Sequence, residues 1–321
     1  MADRTTRVLG CDVGQDEVVI FDSASSRCRS VANRPEALSR ALAELVPPDQ
    51  EAGAVLLVCE ATGGHEAGLL SAAWQAGLAA HRADPRKAHN FLLSLRSAGK
   101  SDSIDAEGLG RYGLERGDTL ARWQPPAPCQ QALQALVRLR ADVADDRADY
   151  VRRLKAPGHG PDKPHIQAVI DILGARIAAL DADIDRLVAD SPDLAADVAV
   201  IDAEKGCGFR TATTVLALMP EIGEVNRRQA AALSGYAPYP NDSGKAAGYR
   251  RVRGGRPQLK AALFTAALAA SRFHPILAPH YKALIARGKK PIVAIAAVAR
   301  RLITILNAKL RDARHARKQL C

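Results

Sequence analysis

GAVLLVCEATGG, residues 53–64, decides how the N-terminal part of the chain is read. Its apolar run is unbroken up to Cys59, which is the pattern of a strand buried on both faces. Such a strand needs helices above and below it. The run stops at a carboxylate, Glu60, and passes into a Thr-Gly-Gly turn. Upstream, RVLGCDVG (7–14) is another apolar strand, and it too ends in an acid, Asp12, followed by a glycine turn. DEVVIFD (16–22) and RCRSVAN (27–33) read as two further short strands joined by a serine-rich turn, and PEALSRALAELV (35–46) as a helix. Downstream, HEAGLLSAAWQAG (65–77) is an amphipathic helix and LAAHRADP (78–85) a short strand. RKAHNFLLSLR (86–96) opens helical structure that leads into KSDSIDAEGLG (100–110).

The resulting order, β-β-β-α-β-α-β-α with acids closing adjacent central strands, matches an α/β ribonuclease-H-like (RuvC-like) domain over residues 1–125. In the last segment Asp102 and Asp105 lie three residues apart on a predicted helix. At ~100° per residue this spacing leaves the side chains about 60° apart on one face. Glu107 points elsewhere and is expected to be solvated. Four carboxylates in one cleft repel one another unless a cation lies between them. Hard oxygen ligands suit Mg²⁺ or Mn²⁺, and a pair of such ions ~4 Å apart stabilises both entering and leaving oxygens in phosphoryl transfer. Taken singly, each acid is better explained as a strand end or a cap, and Asp102 as the N-cap of its helix. It is the combination of Asp12, Glu60, Asp102 and Asp105 that points to a metal site.

Beyond the turn-rich WQPPAP (123–128) the pattern changes. Leu136, Val143 and Tyr150 recur at seven-residue intervals. After the break KAPGHGPDKP (155–164), Ile166, Ile170, Leu173, Ile177, Leu180, Ile184 and Leu187 alternate spacings of four and three. That is a sustained helical seam, predicting a coiled-coil arm over 126–200. It serves either dimerisation or an intrachain hairpin. The remainder, 201–321, has no strand pattern and is expected to be all-α. GCGFRTATTVLALMPEIG (206–223) and NRRQAAALSGYAP (226–238) each pair a glycine turn with a helix.

Charge separates these parts. From Ile201 onward there are 22 Lys and Arg against 6 Asp and Glu, whereas the rest of the chain has 23 against 29. A polycation of that kind fits a phosphate-rich partner, because neutralising a polyanion releases its condensed counterions. The densest cationic run is NDSGKAAGYRRVRGGRPQLK (241–260), where Lys245, Arg250, Arg251, Arg253, Arg256 and Lys260 are candidate nucleic-acid ligands. Ser243 sits within it beside a glycine. A serine hydroxyl is a weak nucleophile without a base or a charge-stabilising partner, and on the residues alone a plain Ser-Gly turn beside a phosphate-binding loop is the better explanation.

Six scattered cysteines without a CxxC pair spell neither a zinc ribbon nor a redox pair. The first twenty residues lack an apolar signal core, and no stretch of 18 uninterrupted apolar residues occurs. The expectation is a cytoplasmic protein with no membrane partner, nucleoid-associated when acting.

CDVG (11–14), CEATGG (59–64), KSDSIDAEGLG, GCGFRTAT (206–213), LSGYAP (233–238), NDSG (241–244) and RPQLKAAL (256–263) follow in an order that resembles the DEDD-type transposases of insertion sequence family 110. The likeness runs over nearly the whole chain, with GCGFRTA standing where the family usually has a Pro-Gly turn. It implies that Asp12, Glu60, Asp102 and Asp105 are the DEDD acids, assisted by Mg²⁺, and that Ser243 forms a covalent phosphoserine link with DNA. It further implies donor and target DNA, a structured noncoding guide (bridge) RNA, and a homo-oligomer, dimer or tetramer, whose protomers share composite sites. The rival enzyme is a RuvC-like metal-dependent junction nuclease with no covalent intermediate. Sugar-kinase and actin-like ATP-binding proteins also open with a strand, Asp-x-Gly and a hairpin, but no second copy of the motif follows residue 202. A noncatalytic nucleic-acid scaffold is the remaining alternative.

Overall fold

The computed structural model describes residues 7–46, 54–95, 101–240 and 250–320. The chain divides into two compact units, Met1–Pro126 and Ala127–Cys321.

The first unit is built on a mixed five-stranded sheet, as expected for a ribonuclease-H-like domain. Its strands are β1 (Arg7–Val13), β2 (Glu17–Asp22), β3 (Arg27–Ala32), β4 (Val55–Glu60) and β5 (Ala79–Ala83), in the order β3-β2-β1-β4-β5. The first three form an antiparallel meander, while β1, β4 and β5 run parallel. Helices α1 (Pro35–Leu45) and α2 (Ala67–Gln75) supply the crossovers, followed by α3 (Pro85–Leu95) and α4 (Asp102–Arg116).

Period-two alternation sorts the side chains of β1 and β4 between two cores. Leu9, Cys11, Leu57 and Cys59 pack with Leu38 and Leu42 of α1 and Leu69 and Leu70 of α2. Val8, Leu56 and Val58 face the other way, onto Ala88 and Leu92 of α3 and Leu109 of α4. Complete burial of a leucine such as Leu38 or Leu42 is worth about 1.5–3 kcal/mol.

The glycines of DAEGLGRYG set how closely α4 lies on the sheet. A Cβ added to Gly110 would meet Phe21 at 2.6 Å, and one on Gly113 would meet Val8 at 2.6 Å. On β1, a Cβ at Gly10 would lie 2.2 Å from both the Ala106 carbonyl oxygen and the Gly110 nitrogen. Helix and strand thus touch backbone to backbone, a distance only glycine permits.

The second unit is mostly helical. Helices α5 (Pro128–Lys155) and α6 (Lys163–Ala189) form a long hairpin. Ile170, Leu180 and Ile184 of the expected seam are buried, whereas Ile172, off the seam, is exposed. At the base of the hairpin Leu133, Val137, Ile184 and Val188 join one core with Leu216, Leu259 and Leu302. The remaining helices are α7 (Pro192–Asp202), α8 (Phe209–Leu218), α9 (Arg227–Leu233), α10 (Pro257–Phe273), α11 (Leu277–Ala286) and α12 (Pro291–Leu320). α12 is long and apolar enough to cross a membrane, yet Ile295, Val298, Leu302, Ile303, Leu306 and Leu310 are buried in this core.

The unit is not wholly α. β6 (Pro238–Tyr239) pairs antiparallel with β7 (Arg251–Val252), a ladder too short to give an alternation pattern in sequence.

Candidate active site

β1 and β4 are in parallel register with Cys11 opposite Cys59. Asp12 and Glu60, each one residue further along, therefore reach matching ends of adjacent strands. Alternation turns both away from the thiols and onto the sheet face that carries α4. There the contact of Gly10 with Ala106 brings in Asp105, the residue before Ala106.

The electrostatics report the same convergence. The Glu60 carboxyl is raised above the ordinary range, first by burial, then by the negative charge of Asp12, with Asp105 and Asp84 adding and His89 opposing. Three of the four sequence-predicted acids, Asp12, Glu60 and Asp105, thus share one field. Asp102 lies one turn earlier on α4 and is exposed. It is not the N-cap: the Ser101 hydroxyl accepts from the Ile104 amide at 3.3 Å, leaving the Asp102 carboxylate out of the capping contact. Glu107 pairs with Arg111 at 2.7 Å on the solvent side of the helix.

Two residues not singled out in sequence organise the loops at this end of the sheet. Asn33 donates through Nδ2 to the Gly14 carbonyl at 2.8 Å and to the His65 carbonyl at 3.1 Å. One amide thereby ties the loop after Asp12 to the loop after Glu60. Glu66, 2% exposed, accepts from the Thr62 amide and hydroxyl and from the Gly64 amide, and pairs with Arg82 at 2.5 Å. Burial raises its carboxyl, but these amides, its own amide and the Arg82 guanidinium outweigh that and hold it below the usual range. The turn it braces has Gly63 and Gly64 at φ 74° and 117°, values that favour glycine. The signal in sequence was the Thr-Gly-Gly turn followed by an acid, which reads equally as a helix start.

In the second unit Ser243 and Lys245 lie outside the described residues. The β6–β7 ladder pairs Tyr239 with Arg251 on either side of that segment. Arg250, Arg251 and Arg253 are exposed. Arg256 is engaged internally: its guanidinium forms two bonds to the Glu221 carboxylate, at 2.9 and 2.6 Å, and one to the Leu218 carbonyl. Burial raises the Glu221 carboxyl, and Arg256 more than reverses this. Lys260 sits 5.8 Å from the Tyr236 ring, whose hydroxyl donates to the Lys260 carbonyl at 2.7 Å.

Two family models match the chain. One, a DEDD-type IS110 transposase model, covers residues 9–157, which include all four acids, and the other, "Transposase IS116/IS110/IS902 family", covers 199–282. The chain belongs to the IS110 transposase family. Among its curated relatives, an insertion element IS110 protein of Streptomyces coelicolor is 30% identical over 60% of this chain. The chain spans 51% of that relative's length. Pilin gene-inverting proteins of Moraxella lacunata and Moraxella bovis are each 26% identical over 72% of the chain and 72% of their own length.

A DEDD transposase implies a divalent metal, and the donor chemistry of this IS110 chain fits one, since Asp12, Glu60 and Asp105 are hard oxygen donors whose mutual repulsion a cation relieves. They are not drawn into a closed cage: among the described residues no three His, Cys, Asp or Glu side chains meet the geometry of one.

Proposed function

We propose that this IS110-family chain is a DNA recombinase that cleaves and rejoins strands through a serine-linked intermediate. The carrying observation is the convergence of Asp12, Glu60 and Asp105 on one end of the sheet, with Asp102 a turn away on the same helix. In this reading the four carboxylates hold Mg²⁺ or Mn²⁺, which when bound neutralises charge on the scissile phosphodiester. In it β1 and β4 supply Asp12 and Glu60, and α4 supplies Asp105 with Asp102 one turn before it. The Ser243 oxygen forms a bond to phosphorus as the bond from phosphorus to a sugar oxygen breaks. The serine proton is given up and the departing sugar oxygen takes one, so the phosphodiester is conserved for rejoining. In this reading Lys245, Arg250, Arg251, Arg253 and Lys260 contact the nucleic-acid backbone, while Arg256 keeps its bonds to Glu221 and Leu218.

The likeness to the Moraxella pilin gene-inverting proteins favours recombination over hydrolysis, because inverting a gene requires that cut strands be rejoined. Guidance by a structured noncoding RNA, assembly as a dimer or tetramer with composite sites, and a cytoplasmic, nucleoid-associated location belong to the same proposal. The basic balance of the C-terminal unit supports a polyanionic partner.

The test is to incubate the protein with its element DNA and coexpressed flanking RNA, then resolve products on denaturing gels. Wild type is expected to give a covalent protein–DNA adduct that Ser243→Ala lacks while still binding nucleic acid. Cleavage without an adduct in wild type would instead establish the junction nuclease. Asp105→Ala is expected to remove metal-dependent cleavage, and unchanged recombination in that variant would refute the acidic site.

A further inference from the structure

We propose that the cavity between α9, β6 and α12 is a second nucleic-acid site, one that takes the sugar-phosphate backbone and a base of a single strand. This rests on the nucleic-acid reading above but on none of its chemistry.

The cavity measures about 720 Å³ and is lined by Arg227 and Arg228 of α9, Arg300 and Arg301 of α12, and Pro238 and Tyr239 of β6. All four arginines are exposed, and none has an ion-pair partner among the described residues. Other guanidinium groups of this unit are paired with carboxylates: Arg256 with Glu221, Arg314 and Arg317 with Asp197, Arg140 with Asp181. Four exposed cations lining one concavity focus a positive potential there, which favours an anionic ligand. Two of them, Arg300 and Arg301, also act on His280 of α11, whose imidazole is pushed down first by burial and then by the charges of Arg301, Arg300 and Arg287.

Size and chemistry narrow the ligand. A space of this volume suits one or two nucleotides and is too small to enclose a duplex. The guanidinium groups match phosphate oxygens in charge and fork geometry. Tyr239, 43% exposed beside Pro238, offers an aromatic face on which an unpaired base can stack. The shared chemistry is that of single-stranded DNA or RNA.

Binding of full-length protein to labelled single-stranded DNA, to RNA of the same sequence and to duplex DNA, each across a salt series, tests the site. Arg300→Ala/Arg301→Ala is expected to reduce the slope of log affinity against log salt on the single strands by about 1.4, two phosphate contacts at roughly 0.7 each. Tyr239→Ala should weaken single-strand binding about tenfold, and Tyr239→Phe should restore it. The exposed positions leave unfolding unchanged, which a melt of each variant checks. A larger loss on DNA or on RNA identifies which strand occupies the site, and either supports the proposal. Unchanged slopes on all probes would overturn it, as would an equal loss on duplex. A wild-type protein that binds none of the probes would instead overturn the nucleic-acid reading as a whole.

Discussion

Gly10 of β1 and Gly110 of α4 meet backbone to backbone, so that a Cβ on Gly10 would lie 2.2 Å from the Gly110 nitrogen. This contact fixes the height of α4 above the sheet, and with it the position of Asp105 relative to Asp12 and Glu60. Gly10→Ala must push the helix away, since the opposing atoms are main chain and cannot rotate aside. We expect a loss of about 1–3 kcal/mol in urea unfolding, the usual range for overpacking, and a larger fractional loss of strand cleavage. Full activity in a destabilised Gly10→Ala protein would separate helix height from chemistry.

Glu60→Gln removes one charge from a set of mutually repelling carboxylates. Because the folded state raises this carboxyl, ionised Glu60 opposes folding as pH rises above the ordinary glutamate value. The metal-free variant is therefore expected to melt higher than wild type at neutral pH while losing cleavage. Calorimetry in the presence of a chelator reads the first and the adduct gel the second. A lower melting temperature would contradict the shared field.

Arg7 and Asp22 give the opposite sign. Burial raises the Asp22 carboxyl, but two bonds from Arg7, at 2.9 and 2.8 Å, together with the Ala24 amide and the Ser25 hydroxyl, outweigh that and hold it below the usual carboxylate range. The stability it contributes is complete above the unfolded value and is lost as pH falls through the folded one. Asp22→Asn is expected to be destabilised at pH 7 and to flatten the decline of stability below about pH 4. Urea midpoints against pH measure both effects.

The Arg256 side chain makes its bonds within the unit, whereas among the described residues the Arg250 and Arg251 side chains are exposed and have no ion-pair partner. Arg256→Gln is accordingly expected to cost about 1 kcal/mol of stability and to leave the salt dependence of nucleic-acid binding nearly unchanged. Arg250→Ala and Arg251→Ala should each lower that salt slope by about 0.7–0.9 with little effect on unfolding. A steep slope loss in Arg256→Gln would mean that its guanidinium leaves Glu221 for phosphate.

The sheet was legible because burial on two faces leaves a plain mark: Val55–Cys59 is apolar throughout, and Asp12 and Glu60 stand where that burial ends. The α6 seam was legible for the same reason, its alternating four-and-three spacing being a requirement of a helix packed along another. What the pattern could not carry was contact between elements remote in sequence. Gly108, Gly110 and Gly113 read as weak helix residues until Leu92, Phe21 and Val8 are found against them. Asn33 is one polar residue after a strand until Gly14 and His65 supply its partners. Arg256 sat in a run of cations, and only its 35-residue reach to Glu221 separates it from its neighbours. A two-residue ladder such as Pro238–Tyr239 against Arg251–Val252 has no periodicity to read.

The pairing of Cys11 with Cys59 carries one more consequence. Thiols and carboxylates alternate along both central strands, so sliding either strand by a single residue would thrust an acid into the layer under α1 and α2 and lift a thiol toward the water. Ionised carboxylates tolerate such an interior poorly. The acids proposed to handle DNA thereby also guard the assembly of the sheet, by making the misaligned pairings too expensive to persist.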